Sequence, residues 1–271
     1  MKTTTTLLIL IFIISCNKQE DNKNIEITVK QNTEEIKIAI KNRADSLNGY
    51  WLSDIYLQKI VQTKSIYQNR EYSTLFYAIR LDKNNLLTDS AYLASHDTHE
   101  GGFGTFLRFD TTKFCFTNNI SKNFEYSSTG KIPYYLDPLN ESILELKYFD
   151  KDKVERYRKI VDVETELRKI LFKGKYRFEN NSNEVYFGID GRIAGLDSNS
   201  YFEPIIDFTE GIEFDCIRTN YSKEKIEKLN FYKFQFKKDT LLLYKIINLN
   251  DENFDYKFQE VPIKLIKINS P

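Results

Sequence analysis

The chain has 271 residues, with 39 basic and 39 acidic side chains, 20 Phe, 18 Tyr, one Trp and 3 Cys. That length suits one large domain or two small ones, and the balanced charge argues against a nucleic-acid partner, which needs clustered positive surface. Abundant aromatics with many Ile and Asn favour short strands and polar turns over helical bundles.

At the N-terminus, Lys2 gives a minimal basic region, and residues 7–14 form an unbroken apolar run, "LLILIFII". A membrane-spanning helix needs about 20 such residues, so this run fits the apolar core of a secretory signal instead. The "IISC" that ends it at 13–16 has two apolar residues, a small one and then cysteine. It resembles the lipobox of bacterial lipoproteins. The resemblance implies a signal peptide over 1–15, cleavage before Cys16, a diacylglycerol on the Cys16 thiol and an acylated new amino terminus. Residues 16–31 are then a lipidated tether. Several acyl chains, at about 0.8 kcal/mol per buried CH₂, anchor a protein firmly with no spanning segment. Asn17 is not the aspartate that favours inner-membrane retention, and "KQED" at 18–21 resembles a short charged export signal. The expected location is the outer membrane, lipid-anchored and facing the periplasm or the cell surface. An N-terminal helix with an incidental cysteine, or a plain cleaved signal, are the alternatives.

After the tether, "NTEEIKIAIKNRADSLNG" (32–49) carries Ile36, Ile40, Ala44 and Leu47 on one helical face, although "IKIAI" also alternates as a strand does. Strands are expected at "STLFYAIRL" (73–81), "GTFLRF" (104–109) and "SILELKYF" (142–149), each bounded by polar turns. These make a first β-barrel-like unit over 32–150. Residues 151–171 are read as a linker with a short helix, because Val163, Leu167, Ile170 and Leu171 share a face, Asp162 can cap its start and Gly174 follows its end. A second unit over 172–271 has expected strands at "NEVYFGI" (183–189), "NFYKFQF" (230–236) and "DTLLLYKI" (239–246), with a tight turn at Asp190-Gly191. "YKFQEVPIKLIKI" (256–268) closes it, broken at Pro262.

The two units read as a faint duplication. "CFTNNISK" (115–122) and "CIRTNYSK" (216–223) agree at four of eight positions. "LNGYW" (47–51) matches "FKGKY" (172–176), "AIRLDKN" (78–84) matches "FGIDGRI" (187–193), and "NESILELKY" (140–148) matches "KDTLLLYKI" (238–246), all in the same order. Equivalent cysteines in side-by-side units are expected to stay free thiols, too far apart to pair. The fold class is therefore all-β, mainly antiparallel, as two small barrel or sandwich units in tandem with short connecting helices. A helix followed by Gly49-x-Trp51 and a meander of strands resembles the start of the lipocalin-like β-barrels, a family in which the tryptophan plugs the closed end. Tyr176 takes the tryptophan's place in the second unit. Another antiparallel barrel or sandwich pair, or one larger β fold, remains open.

Few residues carry chemistry. "SHDTHEGGFG" (95–104) holds the only two histidines, so His96, Asp97, His99 and Glu100 are the candidate metal ligands. The helical His-Glu-x-x-His spacing is missing, and a hairpin tip in water is the simpler reading of that loop. With two histidines and no G-x-S-x-G, a Ser-His triad is not supported, and no cofactor is implied. Tyr134, Tyr135 and Tyr232, with Phe231 and Phe234, are candidates to line a barrel mouth or an interaction face, against the simpler role of filling two cores. The expected function is non-catalytic: a lipid-anchored envelope protein that binds a small apolar ligand or a protein partner. The alternative is a metal-dependent envelope enzyme using His96 and His99.

Overall fold

The computed structural model of the protein describes residues 33–70, 75–88, 91–96, 103–118, 133–196, 201–206, 208, 212–222, 225–250 and 255–268. Residues 33–47 are helical (α1). Ala44 and Leu47 are fully buried with Ile40 beside them, while Ile38, which a strand would have turned inward with Ile36 and Ile40, is 58% exposed. The helical period wins because the apolar face of α1 closes one end of a barrel. The Asn48 N–H donates to the Ala44 carbonyl at 3.1 Å, and the chain turns into β1 (Gly49–Ser53) through Gly49 at φ +132°. Trp51 is fully buried, and its indole N–H donates 2.8 Å back to the Leu47 carbonyl.

Seven further strands complete the first unit. They are β2 (Ala78–Leu81), β3 (Ala91–His96), β4 (Phe103–Asp110), β5 (Cys115–Thr117), β6 (Tyr134–Asn140), β7 (Ile143–Tyr148) and β8 (Val154–Ile160). Each pairs antiparallel with the next, and β8 returns to pair with β1, so the barrel is closed. Closure satisfies backbone groups that an open edge would leave bare. Two helices interrupt the meander: α2 (Asp54–Thr63), capped by the Ser53 hydroxyl, and α3 (Lys83–Leu86), capped by Asp82. Two expectations change here. The strand expected over 73–81 is shorter, since residues 75–77 lie outside β2. The segment expected as linker plus helix (151–171) begins with β8, whose alternation buries Glu155 and Tyr157 and exposes Val154, Arg156 and Arg158. The first unit therefore runs to Ile160, because without β8 the barrel has no closing strand.

Helix α4 (Val163–Leu171) follows, with the Asp162 carboxylate accepting from the Thr165 N–H at 2.7 Å. The second unit then comprises β9 (Gly174–Phe178), β10 (Glu184–Phe187), β11 (Ile193–Ala194), β12 (Phe202–Pro204), β13 (Cys216–Ser222), β14 (Lys225–Lys237), β15 (Thr240–Asn250), β16 (Asp255–Phe258) and β17 (Ile263–Ile268). Its sheet runs β11-β10-β9-β17-β15-β14-β13-β12, with β16 beside β15. Setting β16 aside, this is the strand order of the first barrel, again with the last strand paired to the first. Among the described residues, β11 and β12 share no ladder; a bridge between Arg192 and Tyr201 and a 2.8 Å bond from the Phe202 N–H to the Gly191 carbonyl join this side. The protein is two antiparallel β-barrel units in tandem, one closed and one nearly so.

The correspondence extends to single residues. Gly49 and Gly174 have φ +132° and +133°. Trp51 pairs with Lys159, and Tyr176 with Lys267, across the closing ladders. Each lysine lies over the ring it faces, 5.1 Å and 5.7 Å from the centroid. Cys115 and Cys216 each begin the fifth strand of their unit, and both are buried free thiols. By ladder register Leu81 and Phe187 are equivalent, each facing the entry glycine, so the matched "AIRLDKN" and "FGIDGRI" segments are offset by three residues.

One core cluster spans both units. Leu52, Tyr56, Leu57, Ile60, Ile66, Tyr77 and Ala78 from the first join Val163, Leu167 and the second barrel's interior. Asp215 fastens this junction. Its carboxylate accepts from the Ser65 hydroxyl at 2.5 Å and from the N–H groups of Ile66 and Tyr67 at 2.6 and 2.9 Å. Burial pushes the Asp215 carboxyl above its usual range despite those donors.

Two sets of substitutions test this account. Alanine at Gly49 should lower stability by about 1–3 kcal/mol, the cost of a strained positive φ. Gly174→Ala should cost less, since its added Cβ meets the Lys267 Cε at an ordinary 3.5 Å, against 2.9 Å from the Lys159 Cε at Gly49. Asp215→Ala should cost about 1–3 kcal/mol by leaving the junction's donors without an acceptor. Urea unfolding of the three variants reads these values.

Candidate functional site

Strand directions give each barrel two ends, one at the helix that precedes its first strand and an opposite one, the mouth. In the first barrel, Gly49, Leu81 and Ile160 gather at the α1 end, whereas Ser53, Ala78, His96, Tyr134, Tyr148 and Val154 lie toward the other. At that mouth Glu155 is buried, its side chain 2% exposed. One carboxylate oxygen, Oε1, accepts from the Tyr148 hydroxyl at 2.9 Å and meets the Lys153 ammonium at 2.7 Å. The other, Oε2, accepts from the Leu75 N–H at 3.0 Å and lies 2.9 Å from the Tyr157 hydroxyl. The Tyr157 hydroxyl is also 3.0 Å from the Phe76 carbonyl. A buried carboxylate is tolerable only when paired and hydrogen-bonded in this way.

Burial, then the negative charge of Glu155, pushes the Tyr148 phenol far above its ordinary value of 10.0, and the same causes act on Tyr157. Both phenols therefore stay protonated as donors at any ordinary pH. Among the described residues the second unit lacks this arrangement. Four residues before its closing lysine, where the first barrel has Glu155, it has Ile263, and Leu265 stands in the place of Tyr157. Beside that mouth lies a groove of about 430 Å³ lined by Phe178, Asn180, Asn181, Val261, Pro262 and Ile263. Val261 is 70% exposed there. A smaller groove of about 260 Å³ lies at the junction, between Leu57 and Val61 of α2, Arg158, and Ile170 of α4.

The residues singled out from sequence are not gathered in one place. Cys16, Asp97, His99 and Glu100 lie outside the described residues, and His96 is the last residue of β3, paired through its backbone with Ala78 at the first barrel's mouth. Tyr134 begins β6, fully buried and edge-on to Phe76 at 5.8 Å. Tyr135 points to the opposite face, 5.3 Å from Phe149, with the Lys113 ammonium 3.9 Å above the Phe149 ring. Tyr232 and Phe234 fill the second barrel, and Phe231 is half-buried across from Arg218. Among the described residues no group of three or more His, Cys, Asp or Glu is placed to hold a metal ion. Sequence reading missed Glu155, Tyr148 and Tyr157 as a set. The available signal was the alternation of "VERYRKI" (154–160), which puts Glu155 and Tyr157 on one face once that stretch is read as a strand.

Glu155→Ala should destabilise the protein by about 1–3 kcal/mol, because it leaves the buried Leu75 N–H and the Tyr148 hydroxyl without their acceptor while the half-exposed Lys153 is free to turn to water. The raised phenol pKa values have a definite sign. The fold favours the neutral phenols, so their stabilising contribution is complete below pH 10 and is lost as pH rises beyond it. Tyrosinate absorbance should show the exposed tyrosines ionising first and Tyr148 and Tyr157 only on alkaline unfolding. Loss of both residues to Phe should shrink the late step without removing it, because burial also raises the Tyr56 and Tyr176 phenols. No family model, no curated protein and no solved structure matches the chain.

Proposed function

We propose that this is a lipid-anchored protein of the bacterial envelope with a non-catalytic binding role, taking a small apolar ligand or a protein partner. The observation that carries the reading is the apolar run at 7–14 ending in "IISC", with Cys16 the acylated residue. The resemblance to the lipobox makes residues 1–15 a cleaved signal and 16–31 a tether that holds the barrels off an outer-membrane surface. No helix among the described residues is long and apolar enough to cross a membrane. The helix–glycine–Trp51 opening supports a lipocalin-like reading of the barrels. The groove beside the second barrel, with its exposed Val261, supports a binding role. Fold alone assigns no activity.

Expression in a diderm bacterium with a labelled fatty acid tests the anchor. The wild-type protein should incorporate label and partition into the detergent phase, and Cys16→Ser should do neither. A wild type that takes up no label, with a Cys16→Ser protein still membrane-bound, would refute the lipoprotein reading.

A further inference from the structure

The end of the first barrel that α1 covers also leaves a group of large apolar side chains open to solvent. Ile38 on the outer face of α1, Leu87 after α3, Phe114 between β4 and β5, Leu139 and Ile143 around the β6–β7 turn, and Val161 after β8 all lie there. They are between 36% and 76% exposed, and they make up six of the fourteen exposed large apolar side chains among the described residues. Apolar residues scattered singly over a surface need no explanation, whereas a group around one end marks an interaction surface.

Polar turns would serve the barrel as well, yet the turns here are ordered with apolar groups held outward. The Asp110 carboxylate ties the β4–β5 turn by accepting from the N–H groups of Thr112 and Lys113 at 2.8 and 3.2 Å. Phe114 then stands at φ +53°, a region that bulky residues rarely adopt. The Arg43 Nε–H of α1 donates to its carbonyl at 3.2 Å. In the β6–β7 turn, the Asn140 side-chain oxygen accepts from the N–H groups of Ser142 and Ile143 at 2.8 and 3.0 Å. The start of α3 is held at the same end, where the Lys83 N–H donates to the Asn48 side-chain oxygen at 3.0 Å. Turns that are already ordered lose little entropy on docking.

What covers this surface follows from where the chain enters it. Only residues 17–32 separate Cys16 from Thr33 at the start of α1, and even fully extended they span at most about 60 Å. An acyl anchor at Cys16 therefore confines α1 to a shallow layer above the bilayer. Contact with the lipid surface is then intramolecular, so a weak apolar attraction is enough to hold it. We propose that the α1 end of the first barrel is a membrane seat: Phe114, Leu139 and Ile143 dip into the headgroup–acyl boundary, and the mouth is turned away from the bilayer. This rests on the lipid-anchored reading above and adds which face of the protein meets the lipid. The tether sets how far the barrels can stand off, and the apolar rim draws the first one back.

The test uses the acylated full chain, reconstituted into vesicles of phosphatidylethanolamine and phosphatidylglycerol with or without bromine on the acyl chains. Bromine quenches an indole only at close range, and the enclosed Trp51 sets the wild-type baseline. Phe114→Trp should lose about half of its added emission to brominated lipid, as an indole at the headgroup–acyl boundary does. Leu139→Trp should lose a similar share, which decides the matter should Phe114→Trp fail to fold. Val154→Trp, at the other end of β8 and about 20 Å away along the strand, should stay at the baseline. If the chain floats with the vesicles and neither indole at the α1 end is quenched, or the one at 154 is quenched equally, the seat is overturned and the anchor stands. An unquenched chain whose dimers in detergent are undone by Phe114→Asp overturns it in favour of a second copy. A chain that takes up no fatty acid and does not float removes the anchor and the seat together.

Discussion

Closure of the first strand against the last is the constraint on which the rest of the molecule depends. A curved sheet that ends in an open edge leaves a row of N–H and C=O groups unpaired. The chain resolves this in the first unit by bringing Val154–Ile160 back onto Gly49–Ser53. The geometry is tight: a helix ends, one glycine turns the backbone at positive φ, and an aromatic residue seals the end under a lysine from the closing strand. Both barrels use the same device, at Gly49, Trp51 and Lys159 and again at Gly174, Tyr176 and Lys267. The replacement of Trp51 by Tyr176 is not neutral. The indole N–H reaches back to the helix carbonyl of Leu47, whereas the buried Tyr176 hydroxyl has no hydrogen-bond partner among the described residues.

With closure common to both units, their differences fall at the mouths. The first barrel has a carboxylate among phenols and one lysine; the second has Ile263 and Leu265 and a groove along its rim. A buried charge is costly wherever it stands, and the second unit shows that the scaffold closes without one.

The units are also not independent beads. The segment between β1 and β2 carries α2 across to the second unit, where Tyr56, Leu57 and Ile60 complete a core shared with α4. Asp215, one residue before the fifth strand of the second barrel, accepts hydrogen bonds from three consecutive residues of the first unit. Apolar burial supplies the attraction at this junction, and the directional carboxylate contacts fix how the two barrels meet.

Much of this was legible in the residues themselves. Alternation in "SILELKYF" and "DTLLLYKI" predicted strands that the structure contains, and Asp162 followed by the Val163–Leu167–Leu171 face predicted α4. The repeated glycine–x–aromatic marked both barrel entries. These features are local, set by backbone preference and by side-chain periods of 2 and 3.6 that neighbouring residues reveal. The role of 154–160 was not local. "VERYRKI" is polar enough to read as a linker, and its pairing with β1 bridges about a hundred residues of sequence. For the same reason no sequence pattern brought Glu155 to Tyr148 and Leu75, or Asp215 to Ser65. The sequence by itself determined the strand-rich class and the tandem repeat. Only the tertiary structure decided which strand closes the first barrel and which buried carboxylate sits at its mouth, because those depend on contacts between segments far apart along the chain.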